Sequence, residues 1–147
     1  MKKLLALALT LVLLCAAIPA LADEYQSRLL ADSTLTQEQL VTEAMRPVTA
    51  ATILLDYMLV KQDTTLLDQL AASDCYVGQY GSFHVDVYYP LTNGKYLNLF
   101  YSAYSHKVTV FSNATYNPAI NEYTYYTLSA EDLVSALGNL VNALSGN

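Results

Sequence analysis

The groups able to do chemistry are few and scattered. Beyond residue 22 the chain has one cysteine, Cys75, and two histidines, His84 and His106. A thiol becomes a nucleophile when a neighbour, commonly a histidine, lowers its proton affinity at close range. Cys75 with His84 or His106 could form such a dyad. Asp86 could then orient the His84 ring, because residues two apart on a strand project from one face. Ser102 is expected opposite His84, which completes a His-Asp-Ser grouping. A serine triad, however, also needs an exposed nucleophile and an oxyanion site, and no G-x-S-x-G elbow occurs. Ordinary polar residues on a half-exposed strand account for the same positions, and Cys75 reads as a small buried hydrophobe. No catalytic residue is assigned. A small hydrolase built on Cys75, His84 and Asp86 is the alternative to a non-enzymatic role.

Metal and phosphate chemistry have less to build on. The lone cysteine and two distant histidines do not match paired zinc-ligand spacings. No D-x-[DN]-x-[DN]-G loop for calcium is present. The five glycines, at 78, 81, 94, 138 and 146, are scattered rather than gathered into a phosphate-binding loop. No metal and no cofactor is expected.

Tyrosine is the unusual feature. Of 13 tyrosines, 11 lie between Tyr76 and Tyr126, interleaved with valine, threonine and phenylalanine. These residues favour pleated sheet. If helices cover the face carrying Val85, the other face presents Tyr88, Phe100 and Tyr104 among His84, Asp86, Asn98 and Ser102. Aromatic area beside adaptable polar groups suits recognition of a protein partner or a glycan. The absence of tryptophan weakens the glycan version. Asn113, Tyr116, Asn117, Tyr123 and Tyr125 could extend the surface. Asn113-Ala114-Thr115 fits a glycosylation sequon, incidental if the chain is bacterial.

These residues need elements to place them. Leu35 to Leu40 reads as a stapled helix start, with Thr36 as cap and Gln39 reaching back. Leu40, Ala44, Val48, Ala51, Leu55 and Met58 follow at helical spacing. Pro47 interrupts that stripe, predicting a kink or two helices meeting there. A short helix over 64–72, capped by Asp63 or Thr64, follows. Strands are expected at 83–88, 97–104, 108–112 and 123–128, with a loop over 113–121. A three-residue loop, Thr92-Asn93-Gly94, closed by Leu91 and Lys95, sets Val87 opposite Leu99, Val85 opposite Tyr101 and Phe83 opposite Ala103. That register keeps one face apolar, and Gly94 takes the left-handed position. Ser129 caps a last helix, with Leu128 and Leu133 as its staple. Leu133, Val134, Leu137, Leu140, Val141 and Leu144 form its apolar stripe. The expected fold is α+β: N-terminal helices and a C-terminal helix on one face of an antiparallel meander of about four strands.

The opening residues read differently. Met1-Lys2-Lys3 is a short positive region, and Leu4 to Ile18 is uncharged and apolar. Pro19 breaks the run, and Ala20-Leu21-Ala22 supplies small residues for a signal peptidase. This is a bacterial-style secretory signal with cleavage after Ala22. The apolar run is short for a bilayer-spanning helix. Cys15 offers a lipoprotein alternative, but Leu14 before it is large for that site. Residues 23–34 are polar and aperiodic, a flexible lead-in to a single domain over 35–147. Five basic residues then face 13 acids, a net charge of −8 beyond residue 22. That charge disfavours nucleic acid. No membrane span is expected once the signal is removed. The expectation is a secreted, acidic binding or interaction module for an unknown protein or glycan.

Overall fold

A computed structural model describes residues 22–30, 47–80, 84–115 and 125–146. They form an α+β fold. In chain order the elements are β1 (Ala22–Gln26), α1 (Pro47–Lys61), α2 (Leu66–Gln69), β2 (Cys75–Tyr80), β3 (His84–Pro90), β4 (Tyr96–Ser102), β5 (Lys107–Ala114), β6 (Tyr125–Leu128) and α3 (Ala130–Leu144). The strands make one antiparallel sheet in the order β1-β5-β4-β3-β2-β6.

The β3–β4 hairpin has the predicted register, with Val87 opposite Leu99 and Val85 opposite Tyr101. Leu91 N–H donates to the Lys95 carbonyl at 2.8 Å, and Gly94 N–H donates back to the Leu91 carbonyl at 3.0 Å. Gly94 has φ +78°, a conformation that side chains with a Cβ disfavour. Phe83, expected opposite Ala103, lies outside the described residues, as do the Thr36 cap and the stripe upstream of Pro47.

Among the described residues the sheet has six strands: β2 to β5 make a meander of four, and β1 and β6 are added at its two edges. β2 was not predicted, and β1 occupies residues expected to be a lead-in. Polar, aperiodic sequence forms β1 because it needs only one anchor on an edge. Tyr25 faces the helix layer opposite Val108 and donates its hydroxyl to the Ile53 carbonyl at 3.4 Å. Asp23 pairs with Lys61 in the last turn of α1, and Glu24 with Lys107 at 3.6 Å. Ser27 N–H then donates to the His106 carbonyl at 2.8 Å. β5 also runs on to Ala114, past the predicted start of a loop. Asn113 adopts φ +59° beside a register shift against β4, the signature of a bulge.

The core lies between the sheet and the helices. Val77, Val85, Val87, Tyr89, Leu99, Tyr101 and Val108 supply it from the sheet. Pro47 is the first described residue of α1. Ala50, Ile53 and Leu54 of α1 are fully buried, whereas Val48, expected on the buried stripe, is exposed. The other described members of that stripe, Ala51, Leu55 and Met58, are buried as expected, and burial reaches beyond the stripe because α1 is apolar around most of its circumference and touches both the sheet and α3. The predicted helix over 64–72 shrinks to α2: Leu70 bridges to Leu91, and Ala71 N–H donates to the Pro90 carbonyl at 2.8 Å. α3 starts as expected, with Ser129 Oγ accepting from Asp132 N–H at 3.1 Å and both Leu128 and Leu133 buried.

Candidate recognition face

Alternation along the strands sends a second set of side chains to the face away from α1. Aligned by register, Tyr125 on β6, Gly78 on β2, Asp86 on β3 and Phe100 on β4 make one row. The neighbouring row holds Tyr76, Tyr88 and Asn98, followed by Tyr96 beside Pro90. Among the described residues, neither long helix lies on this face.

Asp86 is the centre of the arrangement, and it is buried. Asn98 donates its side-chain amide to Oδ1 and also to the Val87 carbonyl at 3.2 Å. The Tyr125 hydroxyl donates to Oδ2 at 2.7 Å. Burial raises the Asp86 carboxyl above its ordinary value, and the hydrogen bonds from Asn98 and Tyr125 oppose that rise. The Tyr125 phenol is pushed up strongly, first by burial and then by its bond to the carboxylate.

Gly78 makes the Tyr125 contact possible. The ring of Tyr125 crosses β2 directly above the glycine. A Cβ at residue 78 would sit 2.7 Å from Tyr125 Cε1, too close for an undisturbed ring. Glycine weakens a strand interior, and a close approach of this kind is one reason to keep it.

The rings pack on one another rather than standing apart. Tyr96 meets Tyr76 and Tyr88 edge to face at 6.1 and 6.0 Å between centroids, and Tyr88 meets Tyr125 at 5.7 Å. His84 stacks on Phe100 at 5.1 Å with the planes 21° apart. These are the preferred geometries for aromatic pairs.

Of the seven residues singled out in the sequence, the structure brings six onto this face: His84, Asp86, Tyr88, Asn98, Phe100 and Ser102. Asp86 and Asn98 are bonded and buried rather than displayed. Tyr104 is placed differently. It lies in the β4–β5 turn and is 79% exposed, at an end of the sheet. Ser102 lies opposite His84 as expected, and its hydroxyl oxygen accepts from Ser105 N–H at 3.4 Å. Tyr76, Gly78 and Tyr96 were missed as members. The alternation Tyr76-Val77-Gly78 could have revealed β2. Of the proposed extension, Tyr125 joins the cluster and Asn113 bonds Asn93 at 3.0 Å. Tyr116, Asn117 and Tyr123 lie outside the described residues.

The thiol dyad is not assembled. Cys75 is fully buried in the helix-covered layer, while His84 and Asp86 project from the opposite face. Burial pushes its thiol up to about 12, so it is neither ionised nor reachable at neutral pH. Facing sides of a sheet cannot share a proton, which removes the physical basis of the Cys75/His84/Asp86 hydrolase. His106 instead meets the Tyr101 hydroxyl through Nδ1 at 3.1 Å.

Among the described residues, no buried side-chain nitrogen or oxygen lacks a hydrogen-bond partner. Within the same residues no group of three His, Cys, Asp or Glu is placed to hold a metal ion. No described helix is long and apolar enough to cross a membrane. Comparison with protein-family models, curated proteins and solved structures finds no match to this chain.

Proposed function

We propose that the protein is an exported, non-enzymatic binding module whose recognition surface is the tyrosine-bearing face of its sheet. One observation carries the reading: rings from β2, β3, β4 and β6 are held edge to face around a carboxylate whose oxygens are both already bonded. Such a surface loses little side-chain freedom when a ligand arrives. Its outward groups are aromatic edges, an imidazole and hydroxyls, the vocabulary of protein and glycan recognition. The acidic charge of the chain works against a nucleic-acid ligand. Export rests on the leader, and cleavage after Ala22 would leave Asp23 to Gln26 of β1 in place.

The test is retention on arrayed cell-wall glycans and on immobilised exported proteins. The native chain is expected to be retained. Tyr88→Ser and Tyr96→Ser should each weaken retention about tenfold while circular dichroism stays unchanged. Absence of native retention, or retention indifferent to both substitutions, overturns the reading.

A further inference from the structure

A second surface has no tyrosine among its described lining residues. An apolar cleft of about 700 Å³ runs between α3 and the chain leaving α2. Leu67, Leu70 and Pro90 form one wall, and Val134, Leu137 and Val141 form the other. Three of these six, Leu67, Val134 and Val141, are about half exposed or more, and Leu144 extends the stripe by one turn. The α3 stripe read from the sequence is therefore wider than its cover. α1 and the sheet bury Leu133 and Leu137 and leave Val134, Val141 and Leu144 uncovered. Exposed apolar side chains gathered along one groove mark an interaction site more often than scattered ones do.

We infer that this groove binds a cationic amphipathic helix from another protein. Dimensions come first. The lining of α3 runs from Ala130 to Asn142, roughly 18 Å at the rise of an α-helix. A helix of that length and about 10 Å diameter, sunk to half its depth, displaces on the order of 700 Å³. The groove is thus of the right size for three turns of helix presenting residues at i, i+4 and i+7.

Gly138 points the same way. It sits in the groove between Val134 and Val141, and nothing lies within 4 Å of the position its Cβ would take. Glycine inside a helix disfavours that helix, and here no neighbour requires it. Its effect is to open the α3 backbone to a close approach from outside.

Charge selects the partner. Glu131 is the charged residue of the described lining, and Asp68 and Asp74 are the sequence neighbours of Leu67 and Ser73 in it. No Lys or Arg is among the described lining residues. A partner with Lys or Arg beside its apolar stripe is attracted. A second copy of this chain, with formal net charge −6, is repelled. An antiparallel arrangement sets the partner's basic last turn against Glu131 and opposes the two helix dipoles.

The experiment titrates the full chain into a fluorescein-labelled 14-residue Leu/Lys peptide with one apolar face, following anisotropy. Its controls are a Leu/Glu peptide of the same pattern and a Leu/Lys peptide of scrambled order. The amphipathic Leu/Lys peptide is expected to bind saturably, at least tenfold tighter than either control. Val141→Ser should weaken it about tenfold. Gly138→Leu should do the same while leaving the thermal midpoint level or higher, because the added side chain meets open space and improves helix propensity. Tyr88→Ser, on the other surface, should change nothing, which separates failure here from failure of the sheet-face reading. Equal binding of the scrambled peptide, or indifference to Gly138→Leu and Val141→Ser, overturns the proposal. So does concentration-dependent self-association that Val134→Ser abolishes, since the groove would then belong to a second copy.

Discussion

On the helix-covered face Val85, Val87, Leu99 and Tyr101 are almost wholly buried, and they touch apolar neighbours from α1. One residue along, on the other face, stand His84, Asp86, Tyr88, Asn98 and Phe100. Each face carries a buried carboxylate in its surroundings, and the two are satisfied in different ways. Asp56, on α1, accepts from the Ser27 hydroxyl and from Arg28 N–H at 3.0 Å. It ties the exit of β1 to the helix layer, and one of its donors is backbone. Asp86 is held by side chains alone, from β4 and β6. Burial by helices makes the first face a core. The second is closed by rings and side-chain hydrogen bonds, so it is ordered yet still presents edges to solvent. Hydrophobic packing is strong and indifferent to ligand, whereas a polar aromatic network is weaker and chemically specific.

The sharpest way to break that comparison is to truncate adjacent residues. Leu99→Ala empties a fully buried site and should cost about 3 kcal/mol. Phe100→Ala, half-buried on the other face, should cost less than half of that. Chemical denaturation of both variants decides it. Equal costs would make the tyrosine face a second core and remove its freedom to recognise anything.

Gly78→Ala comes next. The added methyl displaces the Tyr125 ring and with it the bond to Asp86, leaving a buried carboxylate short of a donor. We expect a loss of about 2 kcal/mol. In a Tyr125→Ala background the same substitution should cost almost nothing, because no ring remains to be displaced and the strand gains a side chain. A cost that persists there would locate the role of Gly78 in the backbone and not in the ring above it. Tyr125→Phe keeps the ring and removes only the hydroxyl. At this half-exposed position water can take part of its place, so the expected loss is about 1 kcal/mol.

How much of this was legible in the sequence follows from the same contrast. The β3–β4 register was legible because one slip would have turned Val85, Val87 and Leu99 toward solvent, and burial forbids that. The start of α3 was legible because Ser129, Leu128 and Leu133 form a local pattern that tertiary contacts have no reason to override. β1 was hidden: its anchors, Tyr25 on Ile53 and Ser27 on Asp56, are 28 and 29 residues apart in sequence, beyond any local pattern. The site was half legible. Alternation gave the faces of His84, Asp86, Tyr88, Asn98 and Phe100. It did not say that Asp86 and Asn98 would bond and sink beneath the rings, since that depends on Tyr125 arriving across an unpredicted strand. Cys75 misled for a related reason. Its distance from His84 along the chain says nothing about which side of β2 it occupies.

The smallest effect tests the character of the network itself. Burial raises the Asp86 carboxyl, and the donors Asn98 and Tyr125 pull the other way. If burial prevails, the native state holds this proton more tightly than the unfolded chain does. Stability then falls as pH rises from the ordinary carboxylate value, about 3.9, up through the raised native value, and it levels off above. Asp86→Asn has no proton to lose there. The stability of the native protein minus that of the variant should therefore decline across that acidic window and be flat at neutral pH. Urea midpoints taken in small pH steps read the difference directly, since the other carboxylates titrate in both proteins and cancel. A difference that climbs with pH would mean that Asn98 and Tyr125 favour the ionised carboxylate by more than burial opposes it. The donors on β4 and β6 would then outweigh burial, and the network would be built to hold an ionised carboxylate.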